Sequence, residues 1–196
     1  MGKKFELTDK FIINVFGIKL FQIKCTKSFK YAQKGDLGGY VEKEGNLDQE
    51  NDAWVYGDAQ VSGNAWVSGN AWVSGNARVY GDAQVSGNAR VSGDAQVSGN
   101  ARVYGNAWVS GNARVYGNAN IKNNNEHCGF DGFGSCNRHT HAYLTKEKKV
   151  EITCGCFRGS IEEFEKKVEE THSGTIYEKQ YKAIINVIKI KFGLTD

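Results

Sequence analysis

From Ala53 to Asn124 the chain repeats one six-residue phrase, Ala-x-Val-(Ser or Tyr)-Gly-(Asn or Asp), twelve times without insertion or deletion. It opens as Ala53-Trp54-Val55-Tyr56-Gly57-Asp58 and closes in a decayed copy, Ala119-Asn120-Ile121-Lys122-Asn123-Asn124. Within each phrase Ala and Val share one side of a short strand, and residue x points to the other. Gly followed by Asn or Asp supplies the left-handed backbone that a sharp corner needs. A period this regular predicts a β-solenoid in which each coil covers the one below it.

Charge sets the expected size of a coil. Arg occupies position x at 78, 90, 102 and 114, a spacing of 12. A two-phrase coil would stack all four guanidiniums about 4.8 Å apart. A four-phrase coil would put Arg78 on Arg102, Arg90 on Arg114 and Asp58 on Asp82. A three-phrase coil of 18 residues stacks no like charges. It predicts three outward ladders: Trp54, Trp72, Arg90 and Trp108; Gln60, Arg78, Gln96 and Arg114; and Trp66, Gln84, Arg102 and Asn120.

The fold class expected is therefore mainly β: a three-sided parallel β-helix of about four coils over 53–124. Residues 1–52 are expected to form an N-terminal β cap and an irregular first rung, because an open solenoid end exposes unpaired strand and apolar Val. Two apolar runs, Phe11–Phe16 and Ile18–Ile23, flank Gly17 and read as a hairpin. Lys34–Gly39 reads as a loop, with Tyr40-Val41 starting the first rung. Residues 125–196 read as a small α+β tail. Its strands are expected at Thr140–Leu144 and Val150–Cys154, after a glycine-rich stretch from Gly129 to Gly134. Ser160-Ile161-Glu162-Glu163 is a capping box that opens a helix reaching about Thr171. A second helix is expected from about Thr175 to Lys191, with Tyr181, Ile184, Ile185 and Ile188 inward.

The formal charge of +3 is spread along the chain and no polybasic arm is present, so charge gives no sign of nucleic-acid binding. No apolar run approaches 18 residues and no leader is evident, which predicts a non-membrane protein of the bacterial host cytoplasm. Five cysteines without a disulfide framework suit a reducing compartment.

The phrase resembles the repeat of left-handed β-helix proteins, a class that includes acyltransferases and γ-type carbonic anhydrases; left-handedness is an implication of that resemblance. A second resemblance is carried by Lys34-Gly35-Asp36-Leu37-Gly38-Gly39-Tyr40-Val41-Glu42, then Gly45-Asn46-Leu47 and Asp52-Ala53-Trp54-Val55-Tyr56-Gly57. These resemble the opening of hexapeptide-repeat proteins of phages and prophages, largely of uncharacterised function. The tail resembles one that accompanies such repeats, through Gly134-Ser135, Cys154-Gly155-Cys156-Phe157-Arg158-Gly159-Ser160, Glu163-Phe164 and Glu169-Glu170-Thr171-His172. Cys136 stands where that pattern has Arg, with Arg138 close by, and Ser173 stands where it has Gly.

Three groups of residues bear on chemistry. His127, Cys128, Cys136, His139, His141, Cys154 and Cys156 are all ligand types for zinc, but their spacing matches no finger or knuckle. No metal or cofactor is expected, with Cys128, Cys136, His139, Cys154 and Cys156 the weak candidates. An acyltransferase of this class needs a histidine base on or near the coils, and 53–124 contain no His, no Cys and no inserted loop. Exposed Trp beside Arg is an interface composition. Trp54, Trp72, Arg90 and Trp108 are therefore the expected interface or binding residues, with Arg138 and Arg158 in the tail. The expectation is a non-enzymatic oligomeric scaffold of phage or prophage origin, most simply a trimer. It would act as a host-defence antagonist that sequesters a host protein or a small nucleotide signal. The alternative is a divergent acyltransferase.

Overall fold

The computed structural model describes residues 2–194. Each phrase contributes one two-residue strand, so that twelve strands, β4 (Trp54–Val55) to β15 (Asn120–Ile121), follow one another around the solenoid. Strands pair in parallel at steps of 18 residues: Arg90 lies between Trp72 and Trp108, and Gln96 between Arg78 and Arg114. The strands form three stacks, one per phrase of the 18-residue unit. Like charges are thereby kept off neighbouring rungs. The Ala and Val of every phrase are buried and form one continuous core.

The corners follow from residue type. Gly93 sits at φ +69, where a Cβ would come within 3.0 Å of the Gly111 amide nitrogen on the next coil. Successive coils thus approach too closely at the corner for a side chain, and the backbone conformation disfavours one in any case. Beside these glycines the Asn and Asp side chains form ladders between coils. Asn76 Nδ2 donates to Asp94 Oδ1 at 3.0 Å, and Asn64 Nδ2 donates to Asp82 Oδ1 at 3.1 Å. An amide above a carboxylate supplies a donor where a second carboxylate would repel.

The N-terminal hairpin joins β1 (Phe5–Ile13) to β2 (Lys19–Cys25). Its turn is set by Asn14, whose Oδ1 accepts from the Phe16 and Ile18 amides, and by Gly17 at φ +76. The first strand begins well before the apolar run that predicts it. The expected loop over Lys34–Gly39 is only partly a loop, because Leu37-Gly38-Gly39 belong to β3 (Leu37–Val41). Gly38 and Gly39 are needed there because the first coil lies against them. A Cβ on Gly39 would be 2.6 Å from the Ala59 carbonyl oxygen, and one on Gly38 2.7 Å from that of Val55. Tyr40-Val41 pair in parallel with Gln60-Val61 and so open the first rung.

That rung has a built-in irregularity. Leu47 bridges to Val67, and two residues beyond the normal count then precede Val55. The extra length lets Gln49 accept from the Lys4 amide at 2.8 Å, and lets the Lys4 ammonium donate to the Asn51 and Ala53 carbonyls at 2.6 and 2.8 Å. Burial pulls the Lys4 pKa down to about 8 against the opposing pull of Asp48 and Asp52.

The tail is a four-stranded antiparallel sheet, β16 (His127–Phe133), β17 (Arg138–Leu144), β18 (Val150–Cys154) and β19 (Phe157–Gly159), with α1 (Ile161–His172) and α2 (Ile176–Lys191) on one face. Ser160 accepts from the Glu163 amide while Glu163 Oε2 accepts from the Ser160 amide, the capping box as expected. Ile161, Phe164 and Val168 pack with Tyr181, Ile184, Ile185 and Ile188 over Ala142, Ile152 and Cys154. The outer strands β16 and β19 are not evident in the sequence. In β16 the reason is Gly129, which lacks a side chain because the His139 ring takes its place; a Cβ there would be 2.7 Å from His139 Cε1. The opposite sheet face closes the solenoid. Tyr143 is fully buried in the solenoid core, and Lys146 N donates to the Asn118 carbonyl at 2.8 Å.

Candidate functional site

The outward Trp and Arg ladder is divided by the cap. Trp54, expected to be exposed, is fully buried. The segment between β2 and β3 folds back across it, with Phe29 edge-on at 5.3 Å and Phe5 edge-on at 6.4 Å. The Lys4 ammonium lies 5.1 Å from the Phe29 ring centroid on the same cluster. Trp54 is thus a core residue, and the exposed ladder is shorter than the sequence suggests. Trp72, one coil on, is half-buried between Tyr31 (5.0 Å, edge-on) and Tyr56 (5.8 Å, stacked). Arg90 and Trp108 are exposed, Trp108 to 52 %. Tyr31, Trp72 and Arg90 line a recess of about 200 Å³.

The register places Arg90 between two tryptophans, but the cation–ring contacts found among the described residues all belong to lysines: Lys4, Lys19 and Lys30. Arg90 has neither a ring contact nor a carboxylate partner among the described residues. Tyr31 joins this surface from the cap. Little in the sequence signals it, because Ser28–Gln33 has no periodicity that would place Phe29 and Tyr31 on the solenoid side.

The expected tail residues have separate environments. Arg158 forms a fork with Glu151, Nε to Oε1 at 2.8 Å and Nη2 to Oε2 at 3.1 Å. Glu151 also accepts from Tyr143 Oη at 2.6 Å, so Arg158 holds the sheet against the solenoid end. Arg138 is exposed and has no carboxylate partner among the described residues.

The weak metal candidates do not form a site. Cys128 and Cys154 face the helices; Cys154 accepts from Thr140 Oγ1 at 3.3 Å and lies 3.7 Å from Tyr181 Oη. Burial pushes the Cys128 thiol up to about 11. Cys136 and Cys156 are exposed, and all five cysteines are free. His139 gives its Nδ1 side to Asp131 at 2.7 Å. Among the described residues no three His, Cys, Asp or Glu side chains converge as metal ligands.

Instead, His127, His139 and His141 line the sheet face that meets the solenoid. His127 Nδ1 and His141 Nε2 are 3.0 Å apart, and His141 Nδ1 lies 3.3 Å from the Arg114 carbonyl oxygen. With His141 Nδ1–H donating to that carbonyl, His141 Nε2 accepts and His127 Nδ1–H donates, so one pair of neutral tautomers satisfies both contacts. Burial, with each ring's neighbours adding repulsion, lowers His141 to about 3 and His127 to about 4.

Both folded-state pKa values lie below the unfolded value near 6.5. The unfolded chain therefore binds protons first as pH falls. The stability these groups contribute is fully present above about pH 6.5 and is lost progressively below it, through about pH 4 for His127 and about pH 3 for His141. Wild-type protein should lose several kcal/mol over that interval in urea unfolding. His141→Gln should flatten the dependence, although its stability at pH 7 is lower. An equal acid response in both proteins would place the loss elsewhere.

A comparison with known families matches part of the solenoid. A family model described as the YdcK beta solenoid repeat fits residues 59–75, 83–97 and 95–111. No curated protein matches the chain. Among the described residues no helix is long and apolar enough to cross a membrane. The chain is a β-solenoid repeat protein whose coils are similar to the YdcK beta solenoid repeat, with cap and tail outside the matched residues.

Proposed function

We propose that the protein is a non-enzymatic binding scaffold, of phage or prophage type, that assembles into a homotrimer through the outward ladder of Arg90 and Trp108. The assembly would hold a host protein or a small nucleotide signal. The observation that carries this reading is one continuous surface: Tyr31, Tyr56 and Trp72 pack together, and an unengaged Arg90 and a half-exposed Trp108 extend it along one stack. Aromatic side chains and arginine contribute most per residue to interfaces. Their positions are also fixed by a solenoid backbone, which reduces the ordering cost of association. The recess of Tyr31, Trp72 and Arg90 offers ring faces and a guanidinium to a planar, negatively charged ligand. No observation favours the acyltransferase alternative. His127 and His141 are held neutral against the solenoid end, and His172 is stacked on Tyr181 at 5.5 Å.

Arg90→Glu with Trp108→Ala tests the assembly without touching the core, since both side chains are exposed. Size-exclusion chromatography with light scattering should show the double variant as monomer under conditions that keep the wild type assembled. An assembled double variant would move the interface away from this ladder.

A further inference from the structure

The ladder ending in Arg114 leads to a second recess, of about 360 Å³, where the last coil meets the tail sheet. Its lining includes Asn112, Arg114, Asn137, Arg138 and Gly155, and none of its lining residues is acidic. Gly155 is the hub of its geometry. At φ +59 it turns its carbonyl to Arg114, which donates Nη1 at 2.7 Å. Its missing side chain leaves the space that Arg138 fills, for a Cβ would lie 2.7 Å from Arg138 Cδ and 2.8 Å from Nη1. One residue therefore brings two guanidiniums to the same recess, by accepting from Arg114 and by leaving room for Arg138.

Neither arginine has a carboxylate partner among the described residues, and two carboxylates of the tail sheet bond to other groups. Asp131 is taken by His139, and Glu151 by Tyr143 and Arg158. The side-chain amides of Asn112 and Asn137 add donors at the rim. Arg138 also borders a smaller recess lined by Lys167 and His172, so the positive surface continues toward the helices.

We propose that this recess is a binding site for a phosphoryl group carried by a small molecule. A tetrahedral dianion can accept from both guanidiniums at once, and the planar fork of an arginine suits a phosphoryl group better than a single point charge does. The site lies on a different stack from Arg90 and Trp108, so it does not depend on the assembly proposed above.

Isothermal titration of the full chain with inorganic pyrophosphate, in a chloride buffer of low ionic strength, tests it. The wild type should bind at one site per chain. Arg138→Met, on an exposed side chain, should weaken binding about tenfold or more. Gly155→Ala should do likewise with no change in net charge, because the new methyl displaces Arg138. Arg102→Met, which removes the same charge from an exposed side chain on another stack, should bind as the wild type does. Absent binding by the wild type, or equal losses in Arg138→Met and Arg102→Met, would overturn the proposal. Because Gly155→Ala also strains the turn, the comparison of the two methionine variants decides the outcome.

Discussion

Trp54→Ala should lower the unfolding free energy by about 3–5 kcal/mol, the range for removing a large buried aromatic side chain. Trp108→Ala, the same chemical change at the same position of another phrase, should cost no more than about 0.5 kcal/mol in the monomer. The difference lies in what covers the two rings. Phe5 and Phe29 close over Trp54, which is fully buried, whereas Trp108 is 52 % exposed. Trp54→Phe should cost less than Trp54→Ala, because the buried Trp54 Nε1–H has no acceptor and its loss removes an unpaired donor. Urea unfolding of the three variants checks this order. A Trp54→Ala protein as stable as Trp108→Ala would mean that the cap does not seat on the first coil.

Gly39→Ala should be comparably severe, at about 3 kcal/mol or more, although it adds only one methyl. The new Cβ would stand 2.6 Å from the Ala59 carbonyl oxygen and 2.8 Å from Val55 Cγ1. Backbone and core cannot both move aside without losing the Tyr40 N to Ala59 O bond at 2.9 Å that seats β3 on the first coil. Gly45→Ala is the matched control, since a Cβ there meets nothing within 4 Å. Equal midpoints for the two variants in urea would show that the cap does not need the close approach at Gly39.

Much of the solenoid was legible because its determinants are local and repeated. Ala and Val mark the inside, Gly marks the corner, and the 12-residue spacing of Arg selects the 18-residue register. The capping box at Ser160 and the inward face of α2 were legible for the same reason. The errors fall where burial depends on chain that returns from elsewhere. Trp54 sits at an outward position by its phrase, yet the Phe29 segment covers it. Gly38 and Gly39 look like loop residues, yet they are glycine because a strand must pass within contact of another backbone. Gly129 hides β16 in the same way, since its missing side chain is compensated by His139 from the paired strand. Arg138 and Arg114 are distant in sequence, and only the turn at Gly155 reveals that they share a recess.

The central claim, that a rigid solenoid works as an assembly spine through its aromatic and arginine ladder, is tested most directly by the mass of the full chain in solution. Light scattering across a dilution series should give about three times the 21.6 kDa chain mass for the wild type and a single chain for Arg90→Glu with Trp108→Ala. A wild-type mass of one chain at every concentration would contradict it.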